Sequence, residues 1–297
     1  MARTQTLYVC RACGGEALKW QGQCAHCRQW DCLEAVSAVR AARDRAGAAV
    51  AASPVAERAG DAAALTRLSL GMAEIDRVFG GGLVPGSVTL LGGEPGIGKS
   101  TLLLQLAAGL AAERVIVYAS GEESVPQIGL RASRLGLGAP QLLLVCDSAL
   151  DAILALAAER TPALLVIDSI QAMQLAACES TPGSAPQLRD CTAALVRYAK
   201  TSGCAVIIVG HVTKDGSIAG PKLLEHLVDT VLYFESDAAS RYRMLRATKN
   251  RFGAVNELGF FAMSAGGLRE VRNPSAIFLS RHPQPMPGSV VMVARDG

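Results

Sequence analysis

An α/β architecture, with a mostly parallel sheet covered by helices on both faces and a small cysteine-rich module ahead of it, is expected from three features of this chain. Short apolar runs of strand length alternate with amphipathic stretches of helix length from Leu65 onward. A glycine-rich loop, Gly93 to Ser100, joins one such run to the helical stretch that follows. Four cysteines stand in two C-x-x-C pairs near the N-terminus.

The strands are expected at 87–93, 114–120, 141–147, 163–169 and 204–211, all rich in Val, Ile and Leu. Runs that are apolar throughout suit a sheet buried on both sides. The stretches 99–112, 124–136, 148–160 and 186–202 supply the covering helices. Segments 230–236, 242–250 and 257–264 read as further strands with tight links, forming an antiparallel extension. Composition agrees: hydrophobic residues make up 50% but aromatics only 4%, a mix that fits a helix-covered parallel sheet better than a β-sandwich. The expected division is a four-cysteine module at 1–33, an Ala- and Arg-rich linker at 34–64 broken at Ser53-Pro54 and Gly60, an α/β domain at 65–272, and a Pro-containing tail at 273–297.

The formal net charge of +3 permits nucleic-acid binding without demanding it. No run approaches the roughly 18 apolar residues of a membrane span, and the N-terminus has no apolar h-region of a signal peptide. A cytoplasmic location with no membrane partner is therefore expected. Nine cysteines, an odd number, then point to reduced, metal-binding use rather than to a disulfide framework.

Cys10, Cys13, Cys24 and Cys27 are the expected zinc ligands. Zn2+ takes four soft donors in a tetrahedron, and each C-x-x-C turn presents two thiolates to one ion. Gly14, Gly15 and Gly22 are expected to permit the turns, and Cys32 is expected to be a non-ligating thiol. A site closed by four protein ligands is structural. Tyr8, Trp20 and Trp30 form either the module's small core or a stacking surface; a module this small favours the core.

Gly93, Glu94, Pro95, Gly96, Ile97, Gly98, Lys99 and Ser100 match G-x4-G-K-[ST] between an expected strand and an expected helix, the context a P-loop requires. Bare amides and a helix N-terminus then face the phosphates of ATP. Lys99 is expected to neutralise the β- and γ-phosphates, Ser100 to ligate Mg2+, and Thr101 to flank the α-phosphate. Asp168 ends an apolar run, where a Walker B carboxylate holds the magnesium shell. Glu122 and Glu123 follow another run. One of them, Glu122 for preference, is the candidate base that polarises the attacking water, against the alternative that both merely favour a helix N-terminus. His211 closes the run at 204–211 and is the candidate sensor of the γ-phosphate, against the alternative of a satisfied edge histidine.

Taken together these residues resemble the RadA (Sms) family of bacterial DNA repair proteins, relatives of RecA and of DnaB-type hexameric helicases. The resemblance runs from Tyr8 to about Gly288. It is carried by the cysteine pattern with Lys19-Trp20 and Gly22 inside it, Gly92–Thr101, Ser120–Ser124, Gly210–Lys214 and, most specifically, the pentapeptide Lys249–Gly253 (KNRFG). It implies a RecA-like P-loop ATPase core and a DNA-dependent ATPase. That ATPase would act on single-stranded and branched DNA, drive branch migration or helicase-like translocation during repair, and extend strand exchange begun by RecA filaments. It implies a homo-hexameric ring with nucleotide at the subunit interfaces, where Lys249 and Arg251 reach the γ-phosphate of a neighbouring subunit. Read alone, K-N-R would be a solvated strand end. The loop Thr213–Glu225, with Lys214 and Lys222, resembles the family's DNA-facing loop. The family pattern continues into a C-terminal domain resembling the Lon protease, which is expected to be missing here. A competing expectation is a nucleotide-switched interaction or signalling ring without motor activity, with the zinc module docking a protein.

Overall fold

The computed structural model describes residues 6–10, 16–17, 19–24, 28–31, 33–37, 66–211, 221–236 and 242–274. The chain divides into two compact units, Met1–Ala63 and Ala64–Gly297.

In the first unit, β1 (Thr6–Cys10), β2 (Glu16–Ala17) and β3 (Leu33–Ser37) form an antiparallel sheet in the order β2-β1-β3. The register pairs Tyr8 with Ala17 and Cys10 with Leu33. A bridge between Gln23 and Trp30 closes the turn that begins at Cys24.

The second unit is the expected α/β core. Helix α1 (Ala73–Val78) leads into β4 (Val88–Gly93), α2 (Lys99–Leu110), β5 (Ile116–Ser120), α3 (Val125–Arg134), β6 (Leu142–Cys146), α4 (Leu150–Arg160) and β7 (Leu164–Asp168). A 3-10 turn (Ile170–Ala172), α5 (Ala185–Ser202), β8 (Ala205–His211), α6 (Pro221–Leu224), β9 (Thr230–Glu235), β10 (Tyr242–Asn250), β11 (Leu258–Ser264) and β12 (Gly267–Glu270) follow. The nine strands form one sheet in the order β12-β11-β10-β9-β4-β8-β7-β5-β6.

Strands β4 to β9 run parallel, and β10 to β12 add an antiparallel meander. The segment 230–236 was expected in the antiparallel extension. Instead β9 lies parallel to β4, from Thr89 opposite Thr230 to Gly93 opposite Phe234, and only its other edge pairs antiparallel, with β10. Apolar pattern specifies that a strand is buried but not its direction, which depends on how the chain returns to the sheet edge.

Two cores fill the space on either side of the sheet, and the strands' period of two assigns each residue to one of them. On β8, Ala205, Ile207 and Val209 pack with α2, while Val206 and Ile208 pack with α5 residues such as Leu188 and Leu195. The same split places Leu164 and Val166 of β7 on one side and Leu165 and Ile167 on the other. This is why these runs carry no polar alternation. No helix among the described residues is long and apolar enough to cross a membrane.

Candidate nucleotide site and metal centre

The parallel register brings the candidate residues to one edge of the sheet. Gly93 pairs with His211 across β4 and β8, and Ser120 pairs with Asp168 across β5 and β7. All four lie at the carboxyl ends of parallel strands, where a doubly wound sheet leaves its crevice. A cleft of about 320 Å³ there is lined by phosphate-loop residues, Glu122, Glu123, Asp168 and His211.

The loop needs glycine for space and for backbone shape. A Cβ on Gly93 would lie 2.6 Å from the Phe234 carbonyl oxygen. Gly98, which precedes α2, has φ of +115°, a left-handed value that side chains resist. Lys99 follows at the helix start and is 4% exposed. Its Nζ donates to the carbonyls of Gly93 (2.7 Å) and Glu94 (2.8 Å). Burial lowers its pKa to about 8, with Asp168, Glu122 and Glu94 opposing the shift. A nearly buried ammonium that lacks full compensation, beside a helix N-terminus, fits a polyanion such as a triphosphate.

Asp168 is buried and accepts the Tyr118 hydroxyl at 2.5 Å. Burial, reinforced by Asp168, holds the Tyr118 phenol well above its usual range, so it stays a donor. Asp168 and Ser100 are both at the cleft and are suitable oxygen donors for a hard cation.

The two glutamates are held differently. Glu122 Oε1 accepts the Ser169 hydroxyl and lies 3.3 Å from His211 Nε2. At that distance the pair is within ion-pair range but is not aligned as a hydrogen bond, and both His211 ring nitrogens are without a hydrogen-bond partner. Glu123 is instead paired with the Arg131 guanidinium of α3. Ser120 Oγ accepts the backbone N–H groups of Glu122 (3.3 Å) and Glu123 (3.1 Å), which fixes the turn between β5 and α3. Ser124 and Gln127 then start α3 with a capping box. Sequence reasoning missed Tyr118, Arg131 and Ser169. Their roles depend on partners 50, 8 and 47 positions away, and no local motif marks them.

Lys249 and Arg251 are far from this cleft in their own chain. Lys249 pairs with Val231 and Asn250 with Thr230, at the amino end of β9, whereas the phosphate loop leaves β4 opposite Phe234. Thr230 to Phe234 spans about 13 Å of strand. Lys249 Nζ donates to the carbonyls of Glu225 (2.6 Å) and Val228 (2.8 Å), and burial followed by the charge of Arg251 lowers its pKa. Arg251 Nη1 meets Asp229 Oδ1 at 3.2 Å, and its side chain is 58% exposed. Of the loop expected to face DNA, residues 213–220 lie outside the described residues.

In the first unit, Cys24 is 3% exposed. Its N–H donates to Gln29 O, and the Arg28 N–H returns to Cys24 O, both at 2.9 Å. Such a turn around a buried thiol fits a thiolate metal knuckle. Cys10 closes β1, while Cys13 and Cys27 lie outside the described residues. Among the described residues no cluster of three or more potential ligands is arranged to hold a metal. Among the described residues of this unit the left-handed positions are Arg28 (φ 58°) and Asp31 (φ 57°) rather than Gly22, which is instead close to the Trp30 ring, while Gly14 and Gly15 lie outside the described residues. Trp20 and Trp30 were expected in the module's core. They are 57% and 73% exposed, so that expectation fails for both.

Comparison with known proteins agrees in both units. A family model described as AAA domain matches residues 73–217, and one described as Rubredoxin metal binding domain matches residues 8–35. Proteins named DNA repair protein RadA are similar along nearly the whole chain. That of Haemophilus influenzae is 50% identical over 99% of this chain and 65% of its own length. That of Pseudomonas aeruginosa is 48% identical over 100% and 66%. That of Escherichia coli is 49% identical over 98% and 65%. The chain thus spans just under two thirds of the length of these relatives.

Proposed function

We propose that this chain, 48–50% identical to proteins named DNA repair protein RadA, is a member of that family and a DNA-dependent ATPase acting on recombination intermediates. The reading extends to branch migration or helicase-like translocation on single-stranded and branched DNA, in a homo-hexameric ring that works alongside RecA filaments. The observation that carries it is the convergence of Lys99, Asp168, Glu122 and His211 on one cleft.

In this reading the chain's own groups divide the work. Phosphate-loop amides and Lys99 bind the triphosphate and neutralise its charge. Ser100 and Asp168 would hold Mg2+, which when bound neutralises charge developing between the β- and γ-phosphates. Glu122 takes a proton from the attacking water, and Ser169 orients its carboxylate. His211, next to Gly93 in the ladder, senses the γ-phosphate. Lys249 and Arg251 cannot serve their own cleft from the far edge of the sheet, which supports their action on a neighbouring subunit. In the first unit, Cys10, Cys13, Cys24 and Cys27 would hold a structural Zn2+, and the exposed Trp20 and Trp30 offer stacking faces to DNA or to a protein.

The net charge of +3 favours the second reading, a nucleotide-switched interaction ring. ATP turnover with and without single-stranded DNA separates the two. A motor shows clear stimulation, and Lys99→Ala lowers turnover by at least about a hundredfold. Stimulation absent from assembled protein would leave the switch, and full turnover by Lys99→Ala would remove the phosphate-loop assignment.

A further inference from the structure

We infer that Asp229 is the positioning residue that aims Arg251 at the neighbouring subunit's nucleotide, an inference that rests on the trans role given to Arg251 above. Asp229 is buried where β9 begins, and both of its carboxylate oxygens are engaged. Oδ2 accepts the Val88 N–H at 3.0 Å, at the start of the phosphate-loop strand, and the Lys200 ammonium at 2.7 Å. Oδ1 meets Arg251 Nη1 at 3.2 Å. The same residue also fixes the arginine's backbone, because the Arg251 N–H donates to Asp229 O at 3.2 Å.

A guanidinium is a planar fork of five donors. With Nη1 tethered to a buried carboxylate, the plane is restrained while other donors remain to meet an incoming oxyanion. The exposure of the Arg251 side chain, 58% against 5% for Asp229, fits an anchored base with an open tip. The rest of the pentapeptide secures the same turn. Asn250 Nδ2 reaches the carbonyls of Val78 and Phe79, its Oδ1 accepts the Phe252 N–H at 2.9 Å, and Arg67 holds Phe252 O at 2.6 Å. Gly253 passes so close to Gly80 that a Cβ would lie 3.1 Å from its Cα. Lys249 fastens the preceding segment through Glu225 O and Val228 O. The turn is thus fastened at several points, and Arg251 is presented from it.

The test uses the full chain and Asp229→Asn, which keeps an oxygen for the Val88 N–H but removes the charge that orients Arg251. We expect kcat to fall about ten- to hundredfold, with KM for ATP changed less than about twofold. Mixing supplies a readout that a merely structural role would not move. Lys99→Ala subunits cannot use their own phosphate loop but carry an intact Asp229–Arg251 pair, so mixing them with Asp229→Asn subunits restores turnover, as mixing with Arg251→Ala subunits does. If Arg251→Ala is rescued and Asp229→Asn is not, Asp229 acts within its own subunit and the inference is overturned. If neither is rescued, the trans reading of Arg251 itself fails and takes the inference with it. Lys200→Met controls for the fold: it removes the other cation on Asp229, and is expected to lower Tm while leaving kcat within about twofold. A loss of kcat there equal to that of Asp229→Asn would mark the cluster as structural.

Discussion

Lys99 shows how one side chain couples burial to ligand chemistry. Its folded pKa of about 8 lies below the ordinary 10.5 because the fold removes water from the ammonium. Between those values the unfolded chain holds more protons, so the cost of burying the charge is fully present below pH 8 and is relieved as pH rises toward 10.5. Phosphate reverses the preference. At pH 8 ATP binding is expected to take up about 0.5 proton per site, and affinity is expected to decline at higher pH. Calorimetry in two buffers of different ionisation enthalpy measures the uptake; identical heats at pH 8 would rule it out. At this scale the sequence was eloquent where a motif is contiguous, as in Gly93–Ser100. It was silent on Tyr118, Arg131 and Ser169, whose side chains meet cleft residues only once β5, β7 and α3 are in place.

Among the elements, β8 illustrates why apolar runs could be read as strands and why their direction could not. Ile207 and Ile208 face opposite cores, so neither can be polar. Ile207→Ala should destabilise the second unit by about 2–5 kcal/mol, because the covered sheet cannot collapse onto the missing atoms. Leu130→Ala, at a site 74% exposed on α3, should cost less than about 0.5 kcal/mol. Urea melts followed by far-UV circular dichroism compare the two, and equal losses would contradict the two-core arrangement. The helical and parallel elements near the phosphate loop were legible because their periodicity is long. Short α1 and β12 carry too few residues to show a period, and β9 had the right length but an unreadable partner. Glu74 of α1 nonetheless ties the meander down, accepting the Phe260 N–H at 3.1 Å.

The whole chain separates into two units with different sources of stability. The second has buried residues on both faces of β4, β5, β7, β8 and β9, whereas Trp20 and Trp30 of the first are exposed. A small cysteine-rich unit would lean on a bound metal. Cys24→Ser is therefore expected to lower bound zinc, measured by atomic absorption, from one ion per chain, while ATP affinity changes less than about twofold. Unchanged zinc content would refute the ligand set. The cysteine spacing points to a metal because C-x-x-C liganding is local; the exposure of the tryptophans was hidden because a sequence does not say which surface a small sheet leaves bare.

Under the trans role proposed for Arg251, the phosphate loop at one edge of the sheet and the Lys249–Arg251 turn at the other would give every copy a receiving end and a giving end. Two copies facing each other about a two-fold axis would present identical ends and leave both sites unserved. Only head-to-tail addition satisfies them, and such contacts are heterologous. Whether the series then closes on itself or winds into an open spiral is decided by the rotation between successive copies.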